Sequence, residues 1–198
     1  MRIIVVGAGG TIGMAVAQAL AARGDEVIRA SRNGETAVDI TRPSSIRDMY
    51  RKVGRVDAVV SCAGDAAFKP LAQLTDEDLA ASLGNKLMGQ VNLVRFGLDQ
   101  VSDGGNFVLT SGIFSRSPMP GVPAIAMVNG AVESFARAAA LDAPRGIRVN
   151  AVSPPFITET AMKLGMPTAG TISAAANAKA YVALVAGRET GRVVFPGG

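Results

Sequence analysis

The segment whose residue types and spacing most directly suggest chemistry is Gly7-Ala8-Gly9-Gly10-Thr11-Ile12-Gly13. It follows the continuous β-branched run Ile3-Ile4-Val5-Val6 and precedes apolar residues at helical spacing: Ile12, Ala15, Val16, Ala19 and Leu20. Glycines between a strand and a helix allow a tight turn and let backbone N–H groups approach a pyrophosphate. The helix N-terminus adds free donors and the positive end of its dipole. The plainer alternative is a tight turn with no ligand. Ala30-Ser31-Arg32-Asn33, after a second strand-like run, bears on which dinucleotide such a turn would take. The 2′-hydroxyl of NAD wants Asp or Glu at this strand end. A hydroxyl and a guanidinium suit a 2′-phosphate instead, because arginine offers paired, charge-assisted donors. The expectation is therefore NADP(H), set against the alternative that Arg32 is an ordinary surface arginine.

Several other chemistries are excluded. The chain has no histidine, which removes Ser-His-Asp and Cys-His nucleophile systems and His-ligated metals. Its one cysteine, Cys62, can form neither an internal disulfide nor a cysteine-clustered zinc site, and no metal site is expected. The surplus of positive charge, +4 in total, lies in residues 1–55, which hold 9 basic and 5 acidic side chains against 11 of each in the remainder. A nucleic-acid surface would join a basic stripe to stacking aromatics. Aromatics are only 5% and the arginines are scattered, so no nucleic-acid partner is expected. No basic-then-apolar leader opens the chain, and its apolar stretches are interrupted well short of a membrane span. No membrane association and a cytoplasmic location follow as expectations.

The elements that must position these residues alternate along the chain. A strand over Ile3–Val6 reads as buried on both faces, and a helix over Thr11–Arg23 stops at Gly24. Strands follow at Glu26–Ser31 and Ala37–Ile40, a helix at Ser44–Val53, and a strand at Val56–Ser61 ending in Cys62-Ala63-Gly64. Thr75-Asp76-Glu77-Asp78 predicts a capped helix start, with acids where the dipole favours them. A longer helix is predicted over Lys86–Gln100, a strand over Asn106–Thr110, a helix over Ala124–Leu141 and a strand over Arg148–Val152. An irregular stretch to Thr171, a helix over Ala174–Ala186 and a strand over Arg192–Phe195 complete the pattern. Such alternation demands a parallel sheet covered on both faces. The fold class expected is α/β, a Rossmann-like doubly wound parallel sheet in a single domain spanning 1–198.

Over nearly its whole length the chain resembles the short-chain dehydrogenase/reductase family. Val6 to Gly13 resembles the family's glycine segment, with Thr11 at its middle glycine. Asp39-Ile40 falls where the family places an Asp and an apolar residue beside adenine. Ser61-Cys62-Ala63-Gly64 is similar to its Asn-Asn-Ala-Gly strand end, with only Ala63 and Gly64 retained. Asn85 lies where the family's helix carries an active-site Asn. The most specific match is Gly146-Ile147-Arg148-Val149-Asn150-Ala151-Val152-Ser153-Pro154, and Gly191–Gly198 resembles the closing strand and Gly-Gly end. The resemblance implies cofactor contacts from Gly7, Gly9, Gly10, Thr11, Ile12, Gly13, Ser31, Arg32, Asp39, Ile40, Cys62, Ala63 and Gly64. It also implies a homo-dimer or homo-tetramer joined through the helices near Lys86–Gln100 and Ala124–Leu141.

The catalytic positions depart from the family. Its proton-transferring Tyr falls on Ile125 and the Lys four residues on falls on Asn129. Ile has no proton to give and Asn no charge with which to tune one. The Ser position falls on Gly112, with Ser111 adjacent, and Pro155 stands where the family has Gly. Asn85 and Ser111 are the remaining catalytic candidates, and Asn129 is expected to hold ribose hydroxyls. Tyr50 and Tyr181 sit in other helices, Tyr181 among apolar neighbours that suggest a core role. Lys86 follows Asn85 but would point about 100° away on a regular helix. Cys62, ending a buried strand, reads as an inert filler. Two functions stay open: an NADP(H)-dependent oxidoreductase with an atypical active site acting on a small carbonyl or alcohol, or an NADP(H)-binding or sensing protein that catalyses nothing. The short apolar stretch Phe156–Thr171, with Met162 and Met166, points only to an uncharged small-molecule substrate.

Overall fold

The computed structural model describes residues 1–197. Seven strands form one parallel sheet: β1 (Arg2–Val6), β2 (Glu26–Ser31), β3 (Thr36–Ala37), β4 (Val56–Ser61), β5 (Val101–Thr110), β6 (Arg148–Val152) and β7 (Val193–Val194). Their order across the sheet is β3-β2-β1-β4-β5-β6-β7. The chain runs outward from β1 to β3, then returns to the other side of β1 at β4. That reversal opens a crevice beyond the carboxyl ends of β1 and β4, where ligands of doubly wound sheets bind.

The continuous apolar run of β1 has a direct cause. Ile4 and Val6 enter a core shared with Met49, Leu93 and Val132, whereas Ile3 and Val5 enter the opposite core with Val16, Leu20 and Tyr181. Each face of the sheet is thus covered. Helices α2 (Pro43–Val53), α4 (Met88–Gly97) and α5 (Pro123–Asp142) supply the first side, and α1 (Thr11–Ala22) and α7 (Ala174–Ala186) the second. All four buried residues of β1 have no exposed surface. At about 1.5–3 kcal/mol for each fully buried aliphatic side chain, this strand anchors both cores.

Several elements differ from the sequence reading. The strand predicted over Ala37–Ile40 is only Thr36–Ala37, because Val38 to Ile40 leave the sheet to line the crevice. The strand predicted from Asn106 begins at Val101, with a register shift between its pairings to Val56 and Ala58. Gly105 permits this irregularity: a Cβ there would meet the Asp57 carbonyl oxygen at 2.7 Å. The stretch after Pro155 contains a short helix, α6 (Thr158–Lys163). The closing strand is Val193–Val194, and the final glycine, Gly198, lies outside the described residues.

The helix expected over Lys86–Gln100 is α4, Met88–Gly97, and the helical segment leading into it starts at Asp76. The capped start predicted at Thr75 is present: Thr75 caps α3 (Asp76–Ser82), and reciprocal hydrogen bonds with Asp78 complete a capping box. A π-helical turn, Leu83–Leu87, then joins α3 to α4. A π turn rotates the residues within it relative to a regular helix, and such turns gather at functional sites. Among the described residues no helix is long and apolar enough to cross a membrane.

Candidate functional site

A cleft of about 610 Å³ opens at the carboxyl ends of β1, β2 and β4. Its walls include Gly7, Gly9, Gly10, Ser31, Arg32, Asp39, Ile40, Cys62, Ala63, Gly64 and Asn85. The three strand ends are tied together: Gly7 N–H donates to the Ala30 carbonyl at 2.8 Å, and Cys62 N–H donates to the Val6 carbonyl at 2.8 Å. Gly7 adopts φ +84°, and a Cβ there would stand 2.8 Å from the Ala63 nitrogen. At Gly13 a Cβ would overlap the Gly7 carbonyl oxygen and lie 2.7 Å from the carbonyl carbon. Gly7 lets the turn approach the chain at the end of β4, and Gly13 lets α1 pack against the turn. Gly9 is different, since a Cβ there meets nothing within 4 Å. Its lack of a side chain leaves open space on the cleft side.

Thr11, Ile12 and Gly13 form the first turn of α1. The N-cap, Gly10, brings no capping side chain, and that turn carries no acidic residue. Its N–H donors and the dipole are therefore uncompensated by the protein. Thr11 Oγ1 accepts a hydrogen bond from Lys163 Nζ at 3.2 Å, which brings α6 over the glycine turn.

On the β2 side, Arg32 is exposed at the cleft and makes no hydrogen bond or ion pair with the described residues. Its guanidinium is free to meet an anion. Asp39 Oδ1 accepts from both the backbone N–H and the hydroxyl of Thr41, and these bonds hold its carboxyl below the usual carboxylate range. Ile40 packs beneath Gly89, where a Cβ would be 2.8 Å from the Ile40 side chain. The strand end and α4 thereby close one wall.

Of the two catalytic candidates, Asn85 lines the cleft, whereas Ser111 is buried behind it. Asn85 Oδ1 accepts from Asp65 N–H at 3.2 Å and so fastens the loop that follows Gly64. The Ser111 hydroxyl lies 2.7 Å from Glu133 Oε1 and 3.1 Å from the Asn129 carbonyl oxygen, so it faces α5. Glu133 also accepts from the Ser115 hydroxyl at 2.6 Å. Asn129 is buried with neither side-chain polar atom partnered. Gly112 makes room for it, since a Cβ at 112 would be 2.8 Å from Asn129 Nδ2. The glycine at the family's serine position is thus the complement of the amide on α5.

Sequence reasoning passed over Lys86. In the π turn its side chain is directed inward, 7% exposed, with Nζ donating to the Ser111 carbonyl oxygen at 3.3 Å. Burial pushes its ammonium down to about 8, partly opposed by the Asp65 carboxylate. The regular-helix assumption that pointed Lys86 away fails because the turn is not α-helical. An interruption in α-helical phase, which no single residue type announces, was the missing signal.

The remaining alternatives take core roles. The Tyr50 hydroxyl donates to the Leu93 carbonyl at 2.6 Å, and Tyr181 contacts Thr110 Oγ1 at 2.8 Å on the other face of the sheet. Burial raises both phenols far above their ordinary range. The Cys62 residue reaches the cleft wall, yet its thiol is enclosed and pushed up to about 12. It is no thiolate nucleophile at neutral pH.

With this geometry the chain belongs to the short-chain dehydrogenase/reductase family of oxidoreductases. The family model described as Enoyl-(Acyl carrier protein) reductase matches residues 7–194. The protein lin1944 from Listeria innocua is similar in structure, with TM-score 0.94, 44% identity and 98% of each chain covered. A small-chain dehydrogenase crystallised with NADPH is 25% identical at TM-score 0.88, covering 98% of this chain and 95% of that one. Hydroxynaphthalene reductase arp2 of Aspergillus fumigatus is 33% identical over 175 residues, 76% of this chain. That match covers 64% of the Aspergillus protein, so the chain spans less than two thirds of this curated relative.

Proposed function

We propose that the protein is an NADP(H)-dependent oxidoreductase with a rebuilt active site, acting on a small, uncharged carbonyl or alcohol. The observation that carries the reading is the cleft itself: an uncapped helix N-terminus behind Gly9 and Gly10, with an unpaired Arg32 at the end of β2. The first fits a diphosphate and the second a 2′-phosphate. The crystallised relative that holds NADPH supports the same cofactor here. Gly7, Gly9, Gly10 and the first turn of α1 would bind the diphosphate, Ser31 and Arg32 the 2′-phosphate, and Asp39 and Ile40 the adenine. Cys62, Ala63 and Gly64 would line the sugar-bearing wall, and Asn129 would meet ribose hydroxyls. When bound, the reduced nicotinamide supplies a hydride to the carbonyl carbon and is itself oxidised.

The missing phenol at Ile125 favours a second reading, an NADP(H)-binding or sensing protein without turnover. Both readings require the cofactor site, so its test comes first. Nicotinamide fluorescence titration should give tighter binding of NADPH than of NADH. A charge-assisted contact contributes about 1.5–3 kcal/mol, and exposure places Arg32 at the lower bound, near a tenfold preference. Arg32→Ala should bring the two affinities together. Equal affinities in the parent protein would end the NADP(H) assignment. Oxidation of bound NADPH by a panel of small carbonyls then separates reductase from sensor.

A further inference from the structure

We infer that Lys86 is the cation of the reacting end of this site, set beside the oxygen on which negative charge develops, with the Asn129 amide as the neighbouring neutral donor and acceptor. This rests on the oxidoreductase reading above. The family positions that would carry a phenol and an ammonium on α5 are Ile125 and Asn129, so those two positions bring no proton donor and no positive charge. The structure supplies one from the other side, through the π turn between α3 and α4.

The contacts are continuous with the cleft. Lys86 packs directly against Gly64, a cleft-wall residue: a Cβ at Gly64 would meet Lys86 Cγ at 2.9 Å. Its Nζ reaches the Ser111 carbonyl, and Ser111 in turn touches Asn129. An ammonium has three donors, and here one has a protein partner at 3.3 Å. Beyond Ser111, whose hydroxyl bonds to the Asn129 carbonyl, both polar atoms of the Asn129 side chain are buried without a partner among the described residues. A buried cation with unmet donors and an unmet amide destabilise a fold unless something else meets them. A sugar hydroxyl and a substrate oxygen have the matching chemistry. The lowered ammonium range agrees with this placement, since a group that titrates near 8 is readily converted between charged and neutral forms. The charge that faces it is the Asp65 carboxylate after β4, while Glu133 on α5 lies on the other side of Ser111, bonded to its hydroxyl.

The test reads charge at the nicotinamide end without needing a substrate. The oxidised ring is positively charged and the reduced ring is neutral, so a nearby ammonium weakens NADP+ relative to NADPH. The ratio of the two dissociation constants, measured by calorimetry, should fall roughly tenfold in Lys86→Met. In the parent the ratio should fall as pH rises from 7 to 9.5, whereas in Lys86→Arg it should stay high and flat. Lys86→Gln serves if the methionine variant does not fold, and the parent's own pH dependence needs no variant. A parent that binds neither nucleotide overturns the oxidoreductase reading and this assignment with it. Normal NADPH binding, with a ratio unchanged by Lys86→Met and indifferent to pH, overturns the Lys86 assignment alone.

Discussion

The two glycines Gly9 and Gly13 separate a ligand cradle from a merely tight turn. At Gly13 an added methyl would overlap the Gly7 carbonyl oxygen and stand 3.0 Å from the Ala8 Cα. Its neighbours are backbone atoms, which cannot rotate aside, so α1 or the turn must shift. Overpacking of this kind costs typically 1–3 kcal/mol, and for a domain of this size each kcal/mol lowers Tm by about 2–4 °C. Gly13→Ala should therefore unfold some 2–12 °C below the parent and bind NADPH more weakly. Gly9→Ala meets open space, and its φ is not in the left-handed region, so Tm should hold or rise slightly. If the backbone approaches a diphosphate there, the same methyl occupies ligand volume, and NADPH affinity should drop at least about tenfold, equivalent to 1.4 kcal/mol. Differential scanning fluorimetry and nicotinamide fluorescence read the two quantities independently. Unchanged affinity in a stable Gly9→Ala protein would refute the cradle and leave only the turn.

Three further outcomes follow from the geometry. Asn150 donates to Glu189 O and Asn106 Oδ1 and accepts from Arg192 N–H, clamping β6 to the segment before β7. Asn150→Leu leaves those groups unmet and should destabilise by about 2–4 kcal/mol in denaturant titration; a loss below about 1 kcal/mol would contradict the clamp. Lys86 has an ordinary value of 10.5 and a folded value of about 8, so its charged form is penalised in the fold, fully below pH 8 and progressively less up to 10.5. Before ligand binds, Lys86→Met should exceed the parent in stability by at most about 3 kcal/mol at pH 7, and that advantage should vanish by about pH 10.5. Cys62, Tyr50 and Tyr181 shift in the opposite sense, but they are common to both proteins and cancel in the difference. An advantage independent of pH would exclude a depressed Lys86. Finally, Ile125→Tyr with Asn129→Lys should gain carbonyl-reductase activity with NADPH binding retained; no gain in a folded, cofactor-binding variant would mean the pocket is not shaped for reduction.

Much of this molecule was legible in its residues. The run Ile3–Val6, apolar on both faces, implied a strand between two helical layers, and the glycines after it implied a close strand-to-helix turn. Thr75-Asp76-Glu77-Asp78 announced a capped helix start because the capping bonds lie within three residues of each other. Arg32 was readable as a cleft residue because it directly follows β2, a strand whose carboxyl end borders the crevice. Such features depend on local periodicity or on positions that topology makes equivalent.

The reacting end was not legible in this way. Asn85, the residue that resembled the family's asparagine, fastens the Asp65 loop, and Ser111 turns toward Glu133. Lys86 reaches the site because one π turn changes the phase of a helix, a property of hydrogen bonding over Leu83–Leu87 and of packing against Gly64. The unmet amide of Asn129 likewise exists only because Gly112, on a different element, leaves room for it. Residue type and spacing determined the sheet, its covering helices and the glycine-lined half of the cleft. Only tertiary structure decided which polar groups meet at the other half, because their neighbours come from segments far apart in the chain and a rotation within one turn exchanges which side chain is buried.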